Sequence, residues 1–299
     1  MNKDGREHRM YRWRRRGEAL FFVLPILIPL IVFWIYPIIR SGWISFTNWD
    51  YMTPEYDFVG LKNYKDLLST GGFFPALKNT LVFGLGTAIP VITGGFLLAV
   101  LVRSLKKGSK FYQFILFSPW ITPTVAISIV WTWIFEPDTG IANIVLRFLH
   151  MPALQWLHSS QTAMLSVILV TLWKTLGYAM IFYLTALAKV PEELYDAGKV
   201  DGASKLALMR HITIPMVSPT TLFLVVLNTV NALQAYDQIQ VLTQGGPSGS
   251  TRTLLYLYYQ LGFEQFHMGQ AAASGVLLVI IASVLAGIQF AVSKKSVHY

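Results

Sequence analysis

Residues 80–102 read TLVFGLGTAIPVITGGFLLAVLV, without a single charged side chain. At 1.5 Å of rise per residue, a helix of this length reaches across the roughly 30 Å hydrocarbon core of a bilayer. In that medium each backbone N–H and C=O has to be bonded within the chain, which a helix achieves and an open strand does not. The run therefore reads as a membrane-spanning helix, and five others match it, at about 19–39, 111–135, 162–188, 217–242 and 271–292. The expected fold class is an all-α integral membrane protein. Its six transmembrane helices occupy 19–292, between a basic tail at 1–18 and a short tail at 293–299.

Composition agrees. Of 299 residues 54% are hydrophobic and 13% charged, and mean hydropathy is +0.50. A soluble domain carries about 25% charged residues, so a single water-soluble domain is excluded. The absence of cysteine excludes a disulfide framework, a thiolate metal site and a cysteine nucleophile. The net charge of +9 is topological. Segments 1–17, 103–110, 189–216 and the chain end carry 17 of the 24 lysines and arginines, which by the positive-inside rule places both termini and these loops in the cytoplasm. The expected partner of this charge is the bilayer, with no nucleic acid. Arg14-Arg15-Arg16 ahead of the first span reads as the flank of an uncleaved anchor, since no small-residue cleavage site follows. On the other face, 41–75 is rich in aromatic residues and is expected to hold a short surface helix around 61–68.

Several chemistries are missing from the sequence. There is no G-x-x-x-x-G-K-[S/T] phosphate loop, so this chain is not expected to bind and hydrolyse nucleotide itself. There is no HExxH, paired-carboxylate cluster or G-x-S-x-G elbow either. No catalytic residue, metal or cofactor is therefore expected on this chain. Of fifteen acidic residues only Asp237 falls in an expected span, near its outer end. Ion-coupled carriers usually hold such groups at mid-membrane, which makes a self-powered secondary carrier the more distant alternative.

The cytoplasmic loop between spans four and five runs Val190-Pro-Glu-Glu-Leu-Tyr-Asp-Ala-Gly-Lys-Val-Asp-Gly-Ala-Ser-Lys and on to Ile212-Thr-Ile-Pro215. Pro191 suits a helix start, and Glu192 and Glu193 complement the positive end of its dipole. Val190, Leu194 and Ala197 give it a short apolar face. Gly198 and Gly202 are expected to flank a turn, with Asp201 capping a second helix. The physical reading is a compact helix–turn–helix knob on the cytoplasmic face, with a solvated amphipathic loop as the alternative.

This loop resembles the EAA motif (E-A-A, three residues, G, nine residues, I-x-L-P) of permeases in binding-protein-dependent ABC importers. Asp196-Ala197-Gly198 takes the first three places, Gly202 follows after three residues, and Ile212-x-Ile214-Pro215 after nine. Asp for Glu, Gly for Ala and Ile for Leu are the departures. The strings Phe58-Val-Gly-Leu-Lys-Asn-Tyr64, Asp201-Gly-Ala203 and Leu242-Thr-Gln-Gly-Gly-Pro247 are similar to the carbohydrate and glycerophosphodiester branch, notably to the first subunit of maltose permeases in a six-span form. The resemblance implies a type I importer permease fold in a bacterial or archaeal cytoplasmic membrane. It implies a second homologous permease subunit, two copies of an ABC ATPase that hold the ATP and Mg, and an extracytoplasmic substrate-binding protein. It also implies that Glu192, Glu193, Tyr195, Asp196, Ala197, Gly198, Asp201 and Gly202 form a coupling helix that docks on the ATPase.

Polar residues inside spans are costly and hence candidates for a substrate path. At 100° per residue, Asn228, Asn231, Gln234 and Gln238 of span five fall within about 120°. Thr171, Lys174, Tyr178 and Thr185 of span four share about 60°, which Thr175 widens. Span three adds Thr124, Ser128 and Trp131, with Pro119 and Pro123 blurring its phase. The alternative for the amide stripe is interhelical bonding, worth ~0.6 kcal/mol per contact. In maltose permeases the position of Tyr178 is a tyrosine at the sugar site, whereas the asparagines of the span-five helix fall here on Ala232 and Ala235. Amides, hydroxyls and aromatic faces suit neutral polyols, and no span interior carries an arginine for phosphate. Lys174 costs ~2.5–3.5 kcal/mol at a helix centre and is expected to pair with Asp237, a carbonyl or an anionic substrate. A sugar or oligosaccharide therefore leads, with glycerol 3-phosphate or a glycerophosphodiester as the alternative.

Overall fold

The structure, a computed structural model, describes residues 21–69, 72–105 and 107–296, with side chains to 293. The basic tail 1–18, the start of the first expected span, Lys106 and the side chains of the C-terminal tail lie outside the described residues. Among the described residues the secondary structure is helical, apart from an isolated bridge between Thr47 and Phe58.

Helix α1 (Phe21–Ile44) has no buried residue and packs on the last helix. After a short surface helix α2 (Lys62–Ser69), α3 (Phe73–Ser104) runs the length of the bundle, about 48 Å at 1.5 Å per residue. Both its ends are tied. Asn79 Nδ2 donates to the carbonyls of Gly249 (2.9 Å) and Arg252 (3.0 Å). Arg103 donates to Leu187 O at 2.8 Å at the other end.

The third expected span is not one straight helix. It divides into α4 (Ser109–Ile121) and α5 (Thr124–Ile134), whose axes differ by 99°. Pro123 has no N–H to continue the ladder and pushes the residue before it out of the helical region; Thr122 is extended, with ψ 139°. Helix α6 (Ile141–Phe148) follows. The connection beyond it is pinned by the buried Asn143, whose amide donates to Pro137 O and Leu154 O and accepts from Leu154 N and the Trp156 indole.

Helix α7 (Ala163–Leu187) is the centre of the packing, against α3 on one side and α4 on the other. Ala163, Val167, Ala179, Met180 and Tyr183 are almost fully buried along it. Its contact with α4 is backbone to backbone: a Cβ on Gly177 would overlap the carbonyl of Leu116. Small residues at such crossings let helices approach in lipid, where dispersion contacts replace the missing hydrophobic drive.

The knob follows as α8 (Glu192–Val200) and α9 (Lys205–Met216). The fifth expected span is likewise interrupted. Helix α10 (Ser218–Leu233) meets α9 at 61° and stops at Leu233, and α11 (Asp237–Leu242) is a separate short helix. Tyr236, at φ −135° and ψ −58°, lies between them outside helical geometry. Helices α12 (Leu254–Tyr259) and α13 (Met268–Ser296) complete the chain. Large apolar side chains such as Phe33, Leu85, Trp133 and Phe290 remain exposed along the bundle, as expected where lipid is the solvent.

Candidate functional site

Two places gather the candidate residues. The first is a cavity of about 230 Å³ at the break in the third span, lined by Trp120, Thr124, Ile127, Val170, Thr171, Lys174, Thr175, Asn231, Gln234, Ala235 and Gln238. The Pro123 bend puts Trp120, on the last turn of α4, and Thr124, on the first of α5, against one opening. Thr171, Lys174 and Thr175 stand at i, i+3 and i+4, on one face of α7. Asn231 comes from the end of α10, Gln234 caps it, and Gln238 lies on α11. The amides meet because the chain changes direction after Leu233, and not through a shared helical stripe.

The hydroxyls of Thr171 and Thr175 donate to Val167 O (2.9 Å) and Thr171 O (2.7 Å), which leaves their lone pairs free to accept. Lys174 is half-buried and its ammonium donates to Thr122 O, the carbonyl freed by the helix break. Of its expected partners the structure shows a carbonyl; among the described residues no carboxylate lies within 4.0 Å of its Nζ. Asn231 and Gln234 are exposed at the open side of the cavity.

Other candidates lie elsewhere. Asn228 spends its amide on Leu224 O of its own helix at 2.8 Å. Tyr178 backs the wall: its ring stacks on Trp120 at 4.1 Å and 23°, and meets Phe182 at 4.8 Å. Trp131 packs between Phe135 and Trp173, and Ser128 is buried with its hydroxyl unbonded. Trp120 is the aromatic lining residue absent from the sequence-based candidates. Its place inside the Pro119-x-x-x-Pro123 break was the available signal.

The second place is the knob. Helix α8 ends as a Schellman motif: Ala203 N–H donates to Gly198 O (2.9 Å) and Gly202 N–H to Lys199 O (3.0 Å), with Gly202 at φ +76°. Asp201 closes α8 rather than capping α9; the cap of α9 is Ser204, whose hydroxyl accepts from Ala207 N. Gly198 lies in the last turn of α8 and accepts the bond that closes the turn, and α9 crosses beside it: a Cβ would stand 2.5 Å from Leu208 Cδ2. Asp196 pairs with Lys199 at 2.9 Å on the exposed side, holding that ammonium above its usual range. Such an exposed pair is worth little stability. Glu193, Ala197 and Asp201 are exposed as well. Tyr195 turns inward, over a cleft of about 430 Å³ that Glu192, Asp196 and Arg103 also line. At the tip, Val200 is 87% and Leu206 77% exposed. Both are large apolar side chains, unnoticed in the sequence because neither belongs to the apolar face built on Leu194.

Residues 73–298 match the family described as binding-protein-dependent transport system inner membrane component. The chain is 31% identical to the sn-glycerol-3-phosphate transport system permease protein UgpA of Pectobacterium atrosepticum, over 93% of this chain and 94% of the relative. It is likewise 31% identical to the arabinooligosaccharides transport system permease protein AraP of Bacillus subtilis, over 94% and 90%. Among solved structures, a bacterial ABC transporter involved in the import of the acidic polysaccharide alginate superposes with a TM-score of 0.82 at 24% identity, over 96% of this chain and 99% of that one.

Proposed function

Because the chain belongs to the family of inner-membrane components of binding-protein-dependent transport systems, we propose that it forms half of the path through which an ATP-driven importer passes a sugar or oligosaccharide. The carrying observation is the cavity at the Pro123 break. It presents amides, hydroxyls with free lone pairs and one indole, groups that satisfy sugar hydroxyls and stack on a sugar ring. Its open side exposes Asn231 and Gln234, which lipid cannot satisfy. A second, homologous permease subunit covers that side in this reading.

The knob docks a separate ATPase through its tip, and Val200 and Leu206 are the apolar contacts lipid does not explain, since they stand on a loop between spans. Two ATPase copies supply ATP and Mg, a binding protein delivers the substrate on the other face, and both termini lie in the cytoplasm. The name of the UgpA relative favours glycerol 3-phosphate as the second reading, and that of AraP favours the oligosaccharide.

Co-purification with the ATPase, the second permease and the binding protein, followed by reconstitution into vesicles, tests the proposal. Uptake of a sugar that requires ATP on the ATPase side is the expected result. Uptake by this chain alone, collapsing with an uncoupler while ATP is held constant, would overturn it in favour of an ion-coupled carrier.

A further inference from the structure

Lys174 stands near the middle of α7, the helix most deeply packed in the bundle, and lines the cavity. Its ammonium has three donors, and the structure engages one, on the Thr122 carbonyl. That carbonyl needs a donor because Pro123 ends the helix beside it, but a neutral amide would serve at less cost to a membrane helix. A charge is retained where a neutral group would complete the fold. No acidic side chain lines the cavity. Among the described residues no carboxylate, Asp237 included, makes an ion pair with the ammonium within 4.0 Å. Two cationic donors are thus left to the cavity, beside the Asn231 and Gln234 amides and the Trp120 ring.

We infer that Lys174 fits this cavity for a polyhydroxylated substrate bearing an oxyanion, a carboxylate or a phosphate ester, with the ammonium held by Thr122 O as its reader. The inference rests on the reading of this cavity as the substrate path. A compact ammonium, with no guanidinium fork beside it, gives charge recognition without a fixed bidentate geometry. Neutral groups on the remaining walls read the hydroxyls of the skeleton. A charged group on the substrate also balances the ammonium during passage, so that no unpaired charge remains in the path.

The test uses the full reconstituted complex with its binding protein and three probes: digalacturonate, its neutral counterpart digalactose, and glycerol 3-phosphate. ATP-driven uptake of at least one acid is expected to exceed that of digalactose by about tenfold or more, the value of a hydrogen bond to a charged group. Digalacturonate then identifies a carboxylate and glycerol 3-phosphate a phosphate ester. Lys174→Gln keeps a donor for Thr122 O without the charge and should bring the ratio to near one, with complex yield unchanged; Lys174→Arg should keep the preference. If Lys174→Gln fails to assemble, the wild-type preference and the Lys174→Arg result decide. A wild-type preference for digalactose, or an acid preference that survives Lys174→Gln, overturns the inference and leaves the sugar path standing. Uptake of none of the three, or uptake insensitive to both Lys174→Gln and Asn231→Leu, overturns the path reading itself.

Discussion

The hydroxyl of Tyr195 lies 3.1 Å from that of Thr213, joining the inward face of α8 to α9, the helix that leads into the fifth span. Arg103, at the end of α3, stands 5.8 Å from the centroid of the same ring while donating to Leu187 O. These contacts tie the knob to the ends of α3 and α7 and to α9. Tyr195→Phe removes one hydrogen bond, about 0.5–1.5 kcal/mol, and keeps the ring under the guanidinium. Tyr195→Ala removes both. ATPase activity of the complex should persist in each, while substrate moved per ATP falls modestly in the first and several-fold in the second. Equal transport-to-ATP ratios in all three proteins would show that the ring transmits nothing.

The tip of the knob gives an assembly test. Val200 and Leu206 are exposed on either side of the Gly202 turn, and neither has packing within this chain to lose. Val200→Asp or Leu206→Asp should therefore leave membrane expression intact and sharply reduce ATPase recovered in pull-down. Full recovery with both variants would place the ATPase contact elsewhere on the loop.

How far the sequence could be read follows from what each feature depends on. Spans were legible because lipid demands long apolar runs, and 162–188 reappears as Ala163–Leu187 almost to the residue. The knob's start was legible from Pro191 and the two glutamates. Its second cap was not: Asp201 and Ser204 are both good N-caps, and only the Schellman closure at Gly202 decides between them. The amide cluster was found for the wrong reason. Helical phase assigned Asn228 to it, yet the chain leaves the helix after Leu233 and brings Gln238 in without Asn228. Trp120 stands inside a proline break that the sequence does display, whereas the role of Gly177 depends on which helix lies opposite, which no local pattern encodes.

Gly177 has no room for a side chain where α7 crosses α4. A Cβ there would overlap the Leu116 carbonyl and approach Phe117 N within 2.8 Å. Backbone atoms of a packed helix cannot turn aside as a side-chain tip can. Gly177→Ala should separate α4 from α7 and lower the yield of folded complex strongly, an overpacking cost of about 1–3 kcal/mol or more. Gly198→Ala should be milder, since the atom it meets is the flexible end of Leu208. Thermal stability in detergent measures both, and a smaller loss for Gly177→Ala than for Gly198→Ala would contradict this ranking.

The two asparagines of α10 test the proposed path. Asn231 is exposed and lines the cavity, whereas Asn228, one turn earlier, bonds Leu224 O. Replacement by leucine removes the amide at similar volume in either case. With the cavity as the path, Asn231→Leu leaves a substrate hydroxyl without its partner, which costs about 1–3 kcal/mol and should cut uptake by about tenfold or more. Asn228→Leu forfeits a bond within its own helix and should leave uptake close to wild type. Tyr178→Ala completes the comparison from behind the wall. It withdraws the ring on which Trp120 stacks at 4.1 Å, so uptake should fall because the indole is no longer held, and Tyr178→Phe should restore it. Loss of uptake in Tyr178→Phe would instead place the phenol oxygen itself on the substrate. Wild-type uptake in Asn231→Leu would leave the amides as contacts between helices and move the path away from the Pro123 break.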